Sequence, residues 1–281
     1  MNKGSGVDPV WYTRETLRSA FPPRIPIKRR FVASLYSAYF DESGTHAASD
    51  TVAVAGFVSN VTQWDMFSQK WGQVLKESKL EYFHMTDFEN SQGQFSGWSK
   101  EEKHDLLNKL LPIISEHTFW SVGCVVDRNL FDAVLSDVAK KICGDAYGFA
   151  AMGCWRHFGL VLQKHDAWMD CTMDKGAKGR DAIETIFHED IRFPEWNDDN
   201  RIIKLSFEKK EIFLPLQASD ILAYELCKQW ARQSGKEKRR QRYPLTVLGK
   251  IKHQWHYASE AHLKEYDEDI NRQLREMRQR S

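Results

Sequence analysis

The sequence predicts an α/β layered protein, and two observations carry that expectation. Five short runs rich in β-branched and aromatic residues recur along the chain, at 36–40, 51–59, 119–126, 167–173 and 202–207, as strands do. Between them lie longer stretches with apolar residues at helical spacing, and strands that alternate with helices build a sheet with helices packed on it. The length of 281 residues is near the upper limit for one hydrophobic core. With no internal repeat, the chain reads as one main domain at 35–234, an N-terminal arm at 1–34, and a C-terminal part at 235–281 made of a basic loop and a helix.

Each element has a local reason. Residues 1–34 include PPRIPIKRR, prolines among basic side chains, so an irregular basic arm is expected. The run at 36–40 is followed, after a polar turn, by its hairpin partner TVAVAGFVS at 51–59. WDMFSQKWGQVLK at 64–76 puts Trp64, Phe67, Trp71 and Leu75 at helical spacing, and 81–84 is a short strand candidate. SKEEKHDLLNKLLPIISE at 99–116 opens with Ser99 and carries Glu102 three residues on, the reciprocal capping-box pattern. FWSVGCVV at 119–126 is a strand, and 146–163 is apolar on several sides, as a buried helix is. The strand at 167–173 ends at Asp174; glycines in DKGAKGR then loosen the chain before a helix at 181–187. A strand at 202–207 and a helix at 214–230, LPLQASDILAYELCKQW, follow. The run GKEKRRQR at 235–242 breaks the chain before a C-terminal helix from about 247 to 278, whose length offers a face to a second copy in a homodimer.

Composition excludes some classes. Forty basic and 39 acidic side chains give a formal net charge of +1, so no global field recruits nucleic acid and any basic surface is local. Two local clusters stand out: Lys28, Arg29 and Arg30 in the arm, and Lys236, Lys238, Arg239, Arg240 and Arg242 in the loop. They read as phosphate-gripping patches or as solvated charge. Five cysteines without a C-x-x-C pair, no apolar signal core and no run of ~18 apolar residues point to reduced thiols and a cytoplasmic protein. No P-loop, dinucleotide fingerprint or G-x-S-x-G appears, and His46, three residues from Ser43 on a turn, is badly placed as a base. His253 and His256 share a helix face at this spacing but have no third ligand nearby.

The acids are the informative residues. YFDESG at 39–44 ends an apolar run in adjacent carboxylates, Asp41 and Glu42; Asp174 follows the strand at 167–173, Glu208 follows that at 202–207, and Asp220 falls in the first turn of the helix at 214–230. Strand ends form the ligand crevice of open α/β sheets. Carboxylates gathered there raise one another's pKa, and Mg2+ or Mn2+ is the compensating cation that oxygen ligands suit. Two such ions ~3.5–4 Å apart serve in-line phosphoryl displacement. Each acid also has a plainer reading as a turn or cap residue. The apolar neighbours of Asp220, namely Ala218, Ile221 and Leu222, favour the site reading. Adjacent strand residues face opposite sides, so Asp41 and Glu42 need not both be ligands.

YFDESG at 39–44, YFHMTDF at 82–88, the strand ending at Asp174 and LPLQASDILAYE at 214–225 resemble, in order and spacing over about 35–230, the signatures of the family called domain of unknown function 3800. That resemblance implies an RNase-H-like fold, a mixed central sheet flanked by helices, similar to the retroviral-integrase superfamily, with acids on the first strand, a neighbouring strand and a late helix that bind two divalent metals. By position it implies Asp41, Asp174 and Asp220 as metal ligands, while His84 falls on the histidine of the family's short third motif. EKKEIFLPLQ at 208–217 departs from the family, with glutamate and lysines where members usually show aspartate-serine and glycine.

The expectation is therefore a metal-dependent nuclease, in mobile-element or phage-conflict settings as the resemblance implies. Its catalytic set is Asp41, Asp174 and Asp220, with Glu42, Glu208 and His84 in support. Two other classes compete: a metal-dependent phosphohydrolase acting on a nucleotide or small phosphate ester, and a non-catalytic RNase-H-like nucleic-acid-binding protein.

Overall fold

The computed structural model of the protein describes residues 35–44, 49–165, 167–176, 179–189, 201–235 and 241–280. The arm expected at 1–34, His46 and the basic residues at 236–240 lie outside them. Six strands are present among the described residues: β1 (Leu35–Ser43), β2 (Thr51–Ser59), β3 (Trp120–Asp127), β4 (Trp168–Asp174), β5 (Ile202–Glu208) and β6 (His253–Ala258). They form one sheet in the order β5-β4-β1-β2-β3-β6. β2 runs antiparallel to β1 and β3, while the other neighbouring pairs are parallel. The mixed central sheet flanked by helices is thus the architecture expected from the sequence.

Side chains alternate between the two faces of the strands. Tyr39, Ala53, Ala55 and Phe57 meet the first helical layer: α1 (Val61–Glu77), α2 (Met85–Asn90), α3 (Lys100–His117), α8 (Leu214–Gln233) and α9 (Tyr243–Leu248). Ala38, Phe40, Val52 and Val54 meet the second: α4 (Arg128–Val134), α5 (Asp137–Cys143), α6 (Ala146–Lys164), α7 (Arg180–Glu189) and α10 (Glu260–Arg280). In α1, Trp64, Phe67, Trp71 and Leu75 are all buried, as their spacing predicts. The Trp64 indole donates to the Ser37 carbonyl at 2.9 Å, fixing this helix on β1. α3 starts with the full capping box, Ser99 and Glu102 each accepting the other's backbone N–H. Among the described residues no helix is long and apolar enough to cross a membrane.

The structure differs from the sequence reading in four places. Residues 81–84 form no strand; they lead to α2, whose N-cap His84 has extended backbone. The short helices α4 and α5 have no counterpart in the sequence reading; each is started by a capping side chain, Asp127 and Ser136. α8 begins at Leu214, so Asp220 lies in its second turn and does not cap it. The helix expected from about 247 to 278 is instead α9, β6 and α10. The free edge of β3 decides this: it pairs with β6 from Ser121 opposite His253 to Val126 opposite Ala258, and tertiary pairing overrides helical pattern. His253 and His256 therefore lie on a strand, where an i, i+3 pair faces opposite sides. α10 lays buried Leu263 and Ile270 onto its own domain, with Tyr266 edge-on to Phe149.

Gly56, opposite Phe40 in the β1–β2 register, has room for no side chain: an added Cβ would lie 2.1 Å from the Tyr39 carbonyl oxygen. Backbone cannot yield as a rotamer can, and overpacking costs about 1–3 kcal/mol or more. Gly56→Ala is expected to lower unfolding stability by at least about 2 kcal/mol in urea denaturation, and an unchanged midpoint would contradict the strand placement.

Candidate metal centre

β1 and β4 are parallel neighbours whose last paired residues are Phe40 and Met173. One residue further on, both strands present a carboxylate on the same face, Asp41 and Asp174, toward the layer that contains α8. Ser219 of α8 ties that helix to β1, its hydroxyl donating to the Tyr39 carbonyl at 2.7 Å. The next residue, Asp220, is thereby brought to the strand ends. Asp41 is fully buried, and Asp174 and Asp220 are 6% and 4% exposed, so bulk water screens none of them.

Three sequence-distant acids thus converge. Glu42 joins them, although strand alternation allows it to point away: single oxygens of Asp41, Glu42 and Asp174 lie within 4.8 Å of one another. Each of the three aspartates is partly held by backbone donors. Asp41 accepts from the Glu42 N–H (2.8 Å), Asp174 from the Gly176 and Lys210 N–H groups (3.1 and 3.2 Å), and Asp220 from the Met85 N–H at 2.6 Å. Glu42 Oε2 is buried and has no hydrogen-bond partner among the described residues.

The cluster contains one cation that the sequence reading did not single out. Lys210 Nζ lies 2.5 Å from Asp41, 3.6 Å from Asp220 and 3.8 Å from Asp174. Burial alone would lower its pKa, but Asp220, Asp41 and Asp174 outweigh it and hold the ammonium well above the ordinary lysine value. Burial pushes Asp41 up as well, opposed by Lys210 and reinforced by Glu42, Asp220 and Asp174. Burial raises Asp174 against Lys210 and its two N–H donors, and pushes Glu42 up to about 7. One ammonium does not offset four carboxylates.

Gln217 was also missed as an organiser. Fully buried on α8, one turn before Asp220, it accepts from the Trp71 indole (2.8 Å) and the Phe83 N–H (2.9 Å) and donates to the Lys210 carbonyl at 2.8 Å. The sequence signal was its place three residues before the acid on one helix face, where both side chains look the same way.

The remaining expected residues are distributed differently. Glu208 sits opposite Asp174 in the β4–β5 register, half-buried and outside the group of oxygens within 4.8 Å. The His84 ring is engaged by Asp87 at 2.9 Å, although its neighbour Met85 contacts Asp220. Lys28, Arg29, Arg30, Lys236, Lys238, Arg239 and Arg240 lie outside the described residues. Arg242 is described, and its guanidinium is bound to both Glu225 oxygens (2.8 and 2.9 Å) and to Glu89.

No family model matches the chain, and no curated protein matches it. Two solved structures similar to it are a mutant of Bst-RNase HIII, with a TM-score of 0.38, and Bst-RNase HIII in complex with Mn2+, with a TM-score of 0.32. Both are 15% identical over 74% of this chain, which spans 58% of each of theirs.

The donor set fits a hard divalent cation. It is all oxygen, it leaves Glu42 Oε2 without a partner among the described residues, and a positive group already stands among three of its carboxylates. Two outcomes are expected. Replacing Gln217 with Leu strands the Trp71, Phe83 and Lys210 polar groups at about 1–3 kcal/mol each; thermal melting should show a loss of at least about 3 kcal/mol, and a loss smaller than about 1 kcal/mol would remove Gln217 from the framework. The second concerns pH. The folded state binds the Glu42 proton more tightly than the unfolded chain, whose carboxyl has the ordinary value of 4.5. Without metal, this group's contribution therefore strengthens as pH falls from about 7 toward 4.5 and is lost as pH rises through 7. Glu42→Gln should be more stable than wild type in EDTA by up to about 3 kcal/mol at about pH 8, with the gap closing near about pH 4.5. A gap that widens in acid would reverse the assignment.

Proposed function

We propose that the protein is a divalent-metal-dependent nuclease that hydrolyses phosphodiester bonds at this carboxylate cluster. The observation that carries the reading is the gathering of sequence-distant acids at one place: Asp41, Glu42 and Asp174 bring oxygens within 4.8 Å of one another, and Asp220 joins Asp41 and Asp174 around Lys210. Asp41 and Asp174, two of the three expected ligands, would hold Mg2+ or Mn2+ together with Glu42, while Asp220, the third expected ligand, stands 3.6 Å from the Lys210 ammonium. A divalent ion there supplies charge against the phosphate oxygens and makes an attacking water more acidic.

The chain's own residues do the rest. The backbone donors to Asp41, Asp174 and Asp220 fix which carboxylate lone pairs remain for a ligand. Glu208, opposite Asp174 on the neighbouring strand, and His84, one residue before the Met85 N–H donor to Asp220, are the proposed supporting residues. The basic groups Lys28, Arg29, Arg30, Lys236, Lys238, Arg239 and Arg240 are the proposed grip on a nucleic-acid backbone. Arg242 has a different part in this reading: paired with Glu225 and Glu89, it clamps α8 to α2 beside the site.

Asp174→Asn removes a ligand while keeping shape. Loss of several kcal/mol of transition-state charge stabilisation corresponds to a fall of at least about 100-fold in Mn2+-dependent cleavage of a DNA and RNA panel, with an unchanged circular dichroism spectrum. Binding of the cleaved polymer should weaken steeply as salt rises. Turnover that survives the substitution would overturn the metal-site reading, and salt-independent turnover of nucleotides alone would identify a small phosphate ester as substrate.

A further inference from the structure

We propose that Lys210 is the second cation of this site, so that the protein works with one divalent ion and one ammonium group where two ions are expected; the inference rests on the metal-dependent nuclease reading above. The acids fall into two overlapping groups. Asp41, Glu42 and Asp174 bring oxygens within 4.8 Å of one another, whereas Asp41, Asp174 and Asp220 surround Lys210 Nζ within 3.8 Å. Asp41 and Asp174 belong to both, as carboxylates shared between two cations do. Glu42 belongs to the first group alone and Asp220 to the second alone.

The ammonium is built into its position. Lys210 donates its own N–H to Asp174 Oδ1 at 3.2 Å, and its carbonyl accepts from Gln217 at 2.8 Å. Gln217 is in turn fixed by Trp71 and Phe83. The main chain on both sides of the side chain is therefore held by the same framework that holds Asp174 and Asp220, and the Lys210 side chain is only 13% exposed.

A lysine ammonium carries one charge and three N–H donors but no Lewis acidity. It can neutralise shared carboxylates and donate to a nonbridging or departing phosphate oxygen. It cannot take over activation of the nucleophile. On this reading the divalent ion held by Asp41, Glu42 and Asp174 would activate the attacking water, and Lys210 would supply positive charge beside it.

Electron paramagnetic resonance of Mn2+ titrated into the full chain tests this without turnover. Wild type and Lys210→Arg are expected to bind one Mn2+ per chain with the spectrum of an isolated ion. Lys210→Ala, which vacates the position, is expected to bind two with spin coupling and to need at least about tenfold more Mn2+ for half-maximal cleavage. Lys210→Gln, expected to behave like the alanine variant, replaces it if that variant does not fold. Two coupled ions in wild type, or one ion in wild type and both neutral variants alike, would overturn the role of Lys210 while leaving the metal site in place. Absence of bound Mn2+ in wild type and variants would overturn both readings.

Discussion

Three buried aspartates, Asp41, Asp174 and Asp220, stand together with the half-buried Glu42, and the interaction that opposes their mutual repulsion is the attraction of the three aspartates to the Lys210 ammonium in their midst. Like charges in low dielectric raise one another's proton affinity and repel the strands that carry them. Lys210 supplies part of the compensation, and the oxygen-only donor set around Glu42 is suited to the remainder. Hydrogen bonds from the Glu42, Gly176, Lys210 and Met85 N–H groups supply dipoles where full charges are absent.

The scaffold makes this unfavourable gathering stable by over-determining it. β1 and β4 run parallel, so their carboxyl ends are level and Asp41 and Asp174 need no loop to meet. α8 is bonded to β1 through Ser219 and joined through Gln217 to Trp71 of α1, Phe83 and Lys210. Trp64, Phe67 and Trp71 pack with Tyr39 and Phe83 in a continuous aromatic cluster beside the acids. The apolar packing thus sustains a local charge arrangement that is unfavourable by itself.

Much of this was legible in sequence because it is local. The aromatic spacing of α1, the Ser99–Glu102 capping box and the apolar runs of β1 to β5 depend on residues a few positions apart, and each appears where its pattern puts it. Asp41, Asp174 and Asp220 were readable as a set because each follows or interrupts an apolar element and matches a quoted motif. Failures came where a distant partner decided the outcome. β6 is a strand because the β3 edge was open; Asp220, by contrast, is the seventh residue of a helix whose start at 214 was read correctly, so its place in the second turn follows from counting along the helix.

The sequence alone determined the layered α/β class and the main strands, and it singled out the acids as candidates, since side-chain period and polar residues that end apolar runs are properties of neighbouring positions. Tertiary structure decided which groups share one space. Glu42 joins Asp41 despite strand alternation, Gln217 becomes a three-way bridge, and Lys210, one basic residue in an EKKE run, becomes the counter-charge of a buried cluster. Such roles depend on distances between residues more than a hundred positions apart, and only the folded chain sets those.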